Sequence, residues 1–140
     1  MKSLRLTVAA AFAFVVLLGS AVAQTGMIRA RIPFDFTVAK QTLLAGEYQI
    51  TANGAMLQMI RIDGPGAVIE KTHFIRRGTD EDLTARLVFR RYGDRHFLAK
   101  VWMGNVDFGH ELFASPLELE YARTAKPEAA LVLASGLNKK

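Results

Sequence analysis

Residues 87–103, LVFRRYGDRHFLAKVWM, gather the side chains best suited to chemistry: Arg90, Arg91, Tyr92, Asp94, Arg95, His96 and Trp102. A histidine two residues from an aspartate, given a hydroxyl from elsewhere, imitates an acid–base triad. Neighbours at i and i+2 on a tight turn rarely form one, and no Gly-x-Ser-x-Gly elbow is present to offer a nucleophile. The simpler expectation is that Asp94 bends the chain and that His96 is an exposed histidine beside a turn.

Other reactive groups are scattered. His73, His96 and His110 are the only histidines; none has a second histidine or a cysteine at ligand spacing, so no metal is expected. Asp80, Glu81 and Asp82 lack the DxDxDG spacing of a calcium loop, and Glu111, Glu118 and Glu120 lie at or near a helix start, where the helix dipole favours acids. Gly64, Gly66, Gly104 and Gly109 sit between strand-like residues and do not precede a helix, so they are turn and bulge glycines rather than a phosphate loop. No catalytic residue, cofactor or enzyme activity is assigned.

The binding chemistry that remains is an arginine and aromatic surface. Arg90, Tyr92, Arg95, His96 and Trp102 are the candidate binding residues, with Arg76, Arg77, Arg86 and Arg91 nearby. Guanidinium forks grip carboxylate and phosphate, and aromatic rings stack beside them, so the partner such a patch suits is an anionic envelope polymer or a lipid headgroup. Against the patch, successive strand residues face opposite ways, and the acids at 80–82 sit where they can neutralise the arginines of the two flanking strands.

These residues are positioned by a pattern of short strands. Ile28, Ala30, Ile32, Phe34, Phe36 and Val38 alternate with polar residues, which predicts one strand from 28 to 38, lying at an edge or bulged at Pro33. Asn53-Gly54 predicts a type I′ hairpin between strands at 46–52 and 56–63, with a bulge near Met59-Ile60 where the apolar parity changes. Asp63-Gly64-Pro65-Gly66 is a turn, and a strand runs from Ala67 to about Arg77. For the hairpin within 87–103, a three-residue loop, Gly93 to Arg95, sets Leu87 against Val101, Phe89 against Ala99 and Arg91 against Phe97.

Ser115-Pro116-Leu117-Glu118 is a capping box, starting a helix near 116–125 with Leu117 and Tyr121 on its packed side. Pro127 ends it. AALVLA at 129–134 is a last edge strand, and 136–140 is a frayed tail. Six or seven strands and one short C-terminal helix make an all-β domain, an antiparallel sandwich or small barrel. Its expected core is Ile32, Phe34, Phe36, Ile50, Phe74, Leu87, Phe89, Phe97 and Val101.

The amino terminus carries Lys2 and Arg5, an apolar run from Leu6 to Leu18 and small residues before Gln24, the three parts of a secretory signal peptide at residues 1–23 cut between Ala23 and Gln24. The apolar run is too short for a spanning anchor. Of the 140 residues, cleavage leaves 117, a single domain at 24–140, with 16 basic and 13 acidic side chains and a net charge of +3. Export to the periplasm or beyond removes nucleic acid as a partner. With no cysteine, neither a disulfide nor a lipidated cysteine is available.

IPFDFTVAKQTLLAGEYQI, followed by LVFRRYGDRHFLAKVW and a glycine-bearing link to a polar helix, resembles a group of small, exported, uncharacterised β-proteins of acidobacteria and related soil bacteria. The resemblance covers Arg31 to about Tyr121. It implies an all-β domain with a short C-terminal helix and implies no activity. The expected function is a non-enzymatic structural or binding module of the cell envelope. A small barrel carrying an apolar or amphipathic ligand is the alternative, with a hydrolase behind both. An outer-membrane barrel fits poorly, because 117 residues must also supply a helix and loops.

Overall fold

A computed structural model describes residues 26–78, 82–104 and 106–136. The expected signal segment and its Ala23–Gln24 cleavage site lie outside them, as do Asp80, Glu81 and residues 137–140. Among the described residues, ten strands and one helix follow in order: β1 (Gly26–Ile32), β2 (Phe36–Val38), β3 (Gln41–Leu43), β4 (Gly46–Asn53), β5 (Met56–Arg61), β6 (Ala67–Arg76), β7 (Arg86–Tyr92), β8 (Arg95–Trp102), β9 (Phe108–Leu112), α1 (Pro116–Thr124) and β10 (Glu128–Gly136).

Eight of the strands close an antiparallel barrel in the order β8-β7-β10-β1-β4-β5-β6-β9, sealed where Lys100 and Val101 of β8 pair with Glu111 and His110 of β9. Two long strands make the corners. β6 pairs with β5 through residues 67–71 and with β9 through 72–76, while β10 pairs with β7 through 128–133 and with β1 through 134–136. Each therefore passes from one half of the barrel to the other, the usual way strands turn a corner between packed sheets. β2 and β3 form a small flap whose Thr37 pairs in parallel with Phe97 of β8.

Period-two alternation fills the barrel. Ile28, Ala30 and Ile32, Tyr48 and Ile50, Leu57 and Met59, Leu87 and Phe89, and Val101 all turn inward and pack into one cluster with Phe36, Leu98 and Leu112. Ile32, Phe36, Ile50, Leu87, Phe89 and Val101 are buried in this core as expected, whereas Phe97 is buried outside it, on the outer face against Tyr92 and Tyr121. Phe34 is half-buried against this core, edge-on to Phe89 at 4.9 Å.

Phe74 is a correction, since 54% of it is exposed. Thr72 and Val68, which share its parity, are buried, but Phe74 lies beyond the last β5 pairing at Lys71, where the wall has only β9 to cover it.

Local expectations also change. The 28–38 run is broken at residues 33–35, where Pro33 cannot donate to a ladder, and β1 is an interior strand paired on both sides. The hairpin after β4 turns at Gly54-Ala55, with Asn53 still paired to Met56 and only Gly54 at positive φ (+58°). β5 keeps an unbroken register with both neighbours, so its exposed Ile60 is an outward side chain and not the sign of a bulge, and the exposed Ile62 lies one residue past its end. β10 is not an edge strand, and Gly136 is its last residue.

Candidate functional site

The β7–β8 hairpin decides where the candidate residues go. Near its turn the register is that of a two-residue loop, Gly93-Asp94, with Tyr92 opposite Arg95, Arg91 opposite His96 and Arg90 opposite Phe97. Gly93 takes φ +61°, which suits glycine. A bulge at Ala99 then absorbs one residue, and Leu87 faces Val101 as expected. Cross-strand partners share a face, so Phe89 and Leu98 point into the barrel while Arg90 and Phe97 point out.

That outward face lies under α1. Ser115 caps the helix by accepting from the Glu118 N–H at 3.2 Å, with Pro116 at its first position. The other half of the expected capping box is absent. The Glu118 side chain does not return to the cap; it docks on the hairpin, where Arg90 donates from Nε at 2.7 Å and from Nη2 at 3.3 Å, and the Tyr92 hydroxyl donates at 3.3 Å.

Glu118 is only 5% exposed and is the one buried residue of the helix. Leu117, expected on the packed side, is exposed, while Tyr121 does pack, its ring 5.9 Å from that of Phe97. Burial first, and then the Glu118 charge, push the Tyr92 phenol above its ordinary pKa. Arg95 stands over Tyr121 at 5.7 Å.

His96 faces elsewhere. Its ring stacks on Phe34 at 3.7 Å, so it is a half-buried packing residue and not an exposed turn histidine. Its Nδ1 is buried, and burial, followed by the charge of Arg91, lowers its pKa against the opposing pull of Asp94. The recess beside it, about 230 Å³ and open to solvent, is lined by Asp35, Phe36, Thr37, Thr42, Asp94 and Arg95. A neutral imidazole packed on a phenyl ring in this way is a poorly oriented base.

Trp102 is seven residues along β8 from Arg95 and has a structural role. Arg77 lies over its ring at 4.7 Å and donates to the carbonyls of Asp82 and Thr84. Gly109 also abuts the ring, and an added Cβ there would come within 2.4 Å of it. The named residues therefore divide among three places: Arg90 and Tyr92 with Arg95 at their margin, His96 in its recess, and Trp102 near the far end of the strand.

Among the described residues, the arginines have acidic neighbours from several elements. Asp82 lies 3.8 Å from Arg77 and 4.0 Å from Arg86, but Arg90 takes Glu118, Arg91 takes Glu128 at 2.8 Å and Arg76 has Asp107 at 4.0 Å.

Two features were not anticipated from sequence. Glu118, Phe97 and Tyr121 complete the Arg90–Tyr92 cluster. His110, 1% exposed, lies in the β6–β9 wall with Nδ1 2.9 Å from the Thr72 hydroxyl, which itself donates to the Ala55 carbonyl at 2.9 Å. The hydroxyl has one proton, so Nδ1 carries the other, and Nε2 is left as a buried lone pair without a partner. Among the described residues, no three His, Cys, Asp or Glu side chains converge as a metal site. Compared with protein-family models, with curated proteins and with solved structures, the chain has no match.

Proposed function

We propose that the protein is an exported, non-enzymatic β-domain, of the kind its sequence resembles, acting as a structural or binding module of the periplasm or cell envelope. The observation that carries this reading is the filled interior. The inward side chains of the barrel, Tyr48, Met59, Leu87 and Phe89 among them, are 0% exposed and form one continuous apolar cluster, so function falls to the outer surface. That surface mixes Arg29, Arg31, Gln49, Gln58 and Lys71 with scattered aliphatics, the reverse of a spanning barrel with its apolar exterior and polar lumen. Its partner class is an anionic envelope polymer or lipid headgroup, met by exterior guanidinium groups.

The test is binding of the purified 24–140 chain to immobilised anionic polysaccharide and to vesicles containing phosphatidylglycerol, at low and at physiological salt. Binding that weakens steeply with salt supports the reading. Absence of binding to either at low salt removes the partner class.

One feature favours the alternative of an apolar-ligand carrier. An open groove of about 430 Å³ at the barrel wall is lined by Phe74, Ile75 and Phe108, with Arg76 and Asp107 beside them. Native mass spectrometry of the protein as purified separates the two readings, since a carrier retains a co-purifying small molecule.

A further inference from the structure

We propose that Arg90, Tyr92, Phe97 and Arg95 form a docking cradle for an acidic helical peptide segment, and that α1 occupies this cradle in cis as a displaceable strap. The proposal deepens the binding-module reading and rests on it. The cradle has the parts that carboxylate recognition needs. The Arg90 fork meets both Glu118 oxygens, Oε2 at 2.7 Å and Oε1 at 3.3 Å, and the Tyr92 hydroxyl adds a third donor to Oε2. Aromatic rings line the cradle, with Tyr92 and Phe97 ring centres 5.8 Å apart, Phe97 against Tyr121 and Arg95 at the margin over Tyr121. Charge-assisted, two-pronged bonds of this kind are the strong class of polar contact and fix the orientation of what they hold.

The manner in which α1 is held sets it apart from a structural helix. A helix that belongs to a core presents a stripe of apolar side chains to it. α1 presents an acid: Glu118 is its one buried residue, and its leucines face water, with Leu117 40% and Leu119 54% exposed. Tyr121, one turn beyond Glu118, adds a half-buried ring against Phe97. The strap is thus a Glu-x-x-Tyr segment held by one carboxylate and one ring, and any segment with the same two side chains on a helical turn meets the same cradle. A ligand for a site filled in cis binds with its intrinsic affinity reduced by the fraction of molecules in which the site is open. Removing the cis carboxylate raises that fraction.

The experiment uses the 24–140 chain, its Glu118→Ala and Glu118→Gln variants, and Arg90→Ala combined with Glu118→Ala. The probe is a fluorescently labelled peptide of residues 115–125, SPLELEYARTA, followed by anisotropy at low and physiological salt. Circular dichroism of each variant checks the barrel, and Glu118→Gln, which keeps the side-chain shape, serves if Glu118→Ala folds poorly.

The expected result is at least a tenfold gain in peptide affinity for the Glu118 variants over the parent. That gain should vanish when Arg90 is also replaced, or when the peptide's first glutamate, the counterpart of Glu118, is made glutamine. Equal affinity of parent and Glu118 variants, or a gain that survives loss of Arg90, overturns the cradle. Polygalacturonate binding to Glu118→Ala with no peptide binding assigns the cradle to acidic saccharide and overturns the peptide. Absent peptide binding while the parent still binds vesicles or polysaccharide sinks the cradle and leaves the module reading standing.

Discussion

Replacing Phe89 by alanine tests the barrel interior at its centre. Phe89 is 0% exposed and meets Phe34 at 4.9 Å and Phe36 at 5.5 Å, both edge-on. Loss of its ring removes about 150 Å² of buried apolar surface, which at about 25 cal/mol per Å² is about 4 kcal/mol, inside the range of about 3–5 kcal/mol for a buried phenylalanine cut to alanine. Phe74 shares the expected core assignment but is 54% exposed, so the same arithmetic on less than half the area gives at most about 2 kcal/mol. Phe34, half-buried, falls between them.

Urea unfolding of the parent and the three variants, followed by the single tryptophan, Trp102, measures the differences with a common slope. The order Phe89, Phe34, Phe74 is expected. A Phe74 loss as large as that of Phe89, or a Phe89 loss below about 1 kcal/mol, refutes this placement of the interior.

Burial lowers the His110 pKa, so the unfolded chain binds its proton more readily and stability falls as pH drops below the unfolded value near 6.5, by up to about 1.4 kcal/mol per unit until the folded form titrates. His110→Leu, which removes the titrating ring, is expected to flatten the urea midpoint between about pH 7 and 5; an unchanged slope would show that His110 is not the group responsible, and His96, lowered for the same reason, is the next to replace. Gly109→Ala drives a methyl into the Trp102 ring and is expected to cost about 1–3 kcal/mol and to shift the tryptophan emission, as read by thermal melting and fluorescence. Ser115→Ala removes the acceptor for the Glu118 N–H and is expected to cost about 1 kcal/mol in the same melts, with the barrel intact.

The strand pattern was legible because burial on one face writes period two into β1, β4 and β7, and that alternation survives in the buried residues, whereas in β5 the exposed Ile60 obscured it. What the pattern hides is how a strand divides between partners. Phe74 sits on the inward parity of β6, yet the change of partner at Thr72 takes it past the cover of β5. In the β7–β8 hairpin the two possible loops each explain half of the ladder, and the bulge at Ala99 lets both halves hold. A bulge costs little locally and leaves no composition signal, so neither register could be chosen from the residues alone.

The candidate site was half legible for a related reason. Local rules gave Glu118 to its own N-cap, but a buried carboxylate gains more from a guanidinium fork than from one backbone N–H, and the fork lies 28 residues away in sequence. Arg90 and Tyr92 could be singled out as a grip for an acid; which acid they hold depends on how α1 folds back.

The same contrast distinguishes how the strap and the barrel are anchored. α1 and β10 are consecutive, joined through Ala125 to Pro127, yet they are anchored by different means. β10 is laced to β7 over six residue pairs and to β1 over three, and its Val132 is buried in the core, so its hold is distributed along two ladders. α1 has one buried side chain, whose partners are a cation and a phenol. Loss of Glu118 therefore removes the helix's main anchor and leaves the barrel ladders whole, whereas a proline at Ala134 would take away the N–H that donates to the Ala85 carbonyl at 3.0 Å, where β10 leaves β7. A strap whose attachment is polar and concentrated, beside a corner strand whose attachment is spread along two ladders, is expected to lift on loss of Glu118 while the barrel keeps its ladders, as circular dichroism and urea unfolding of Glu118→Ala would show.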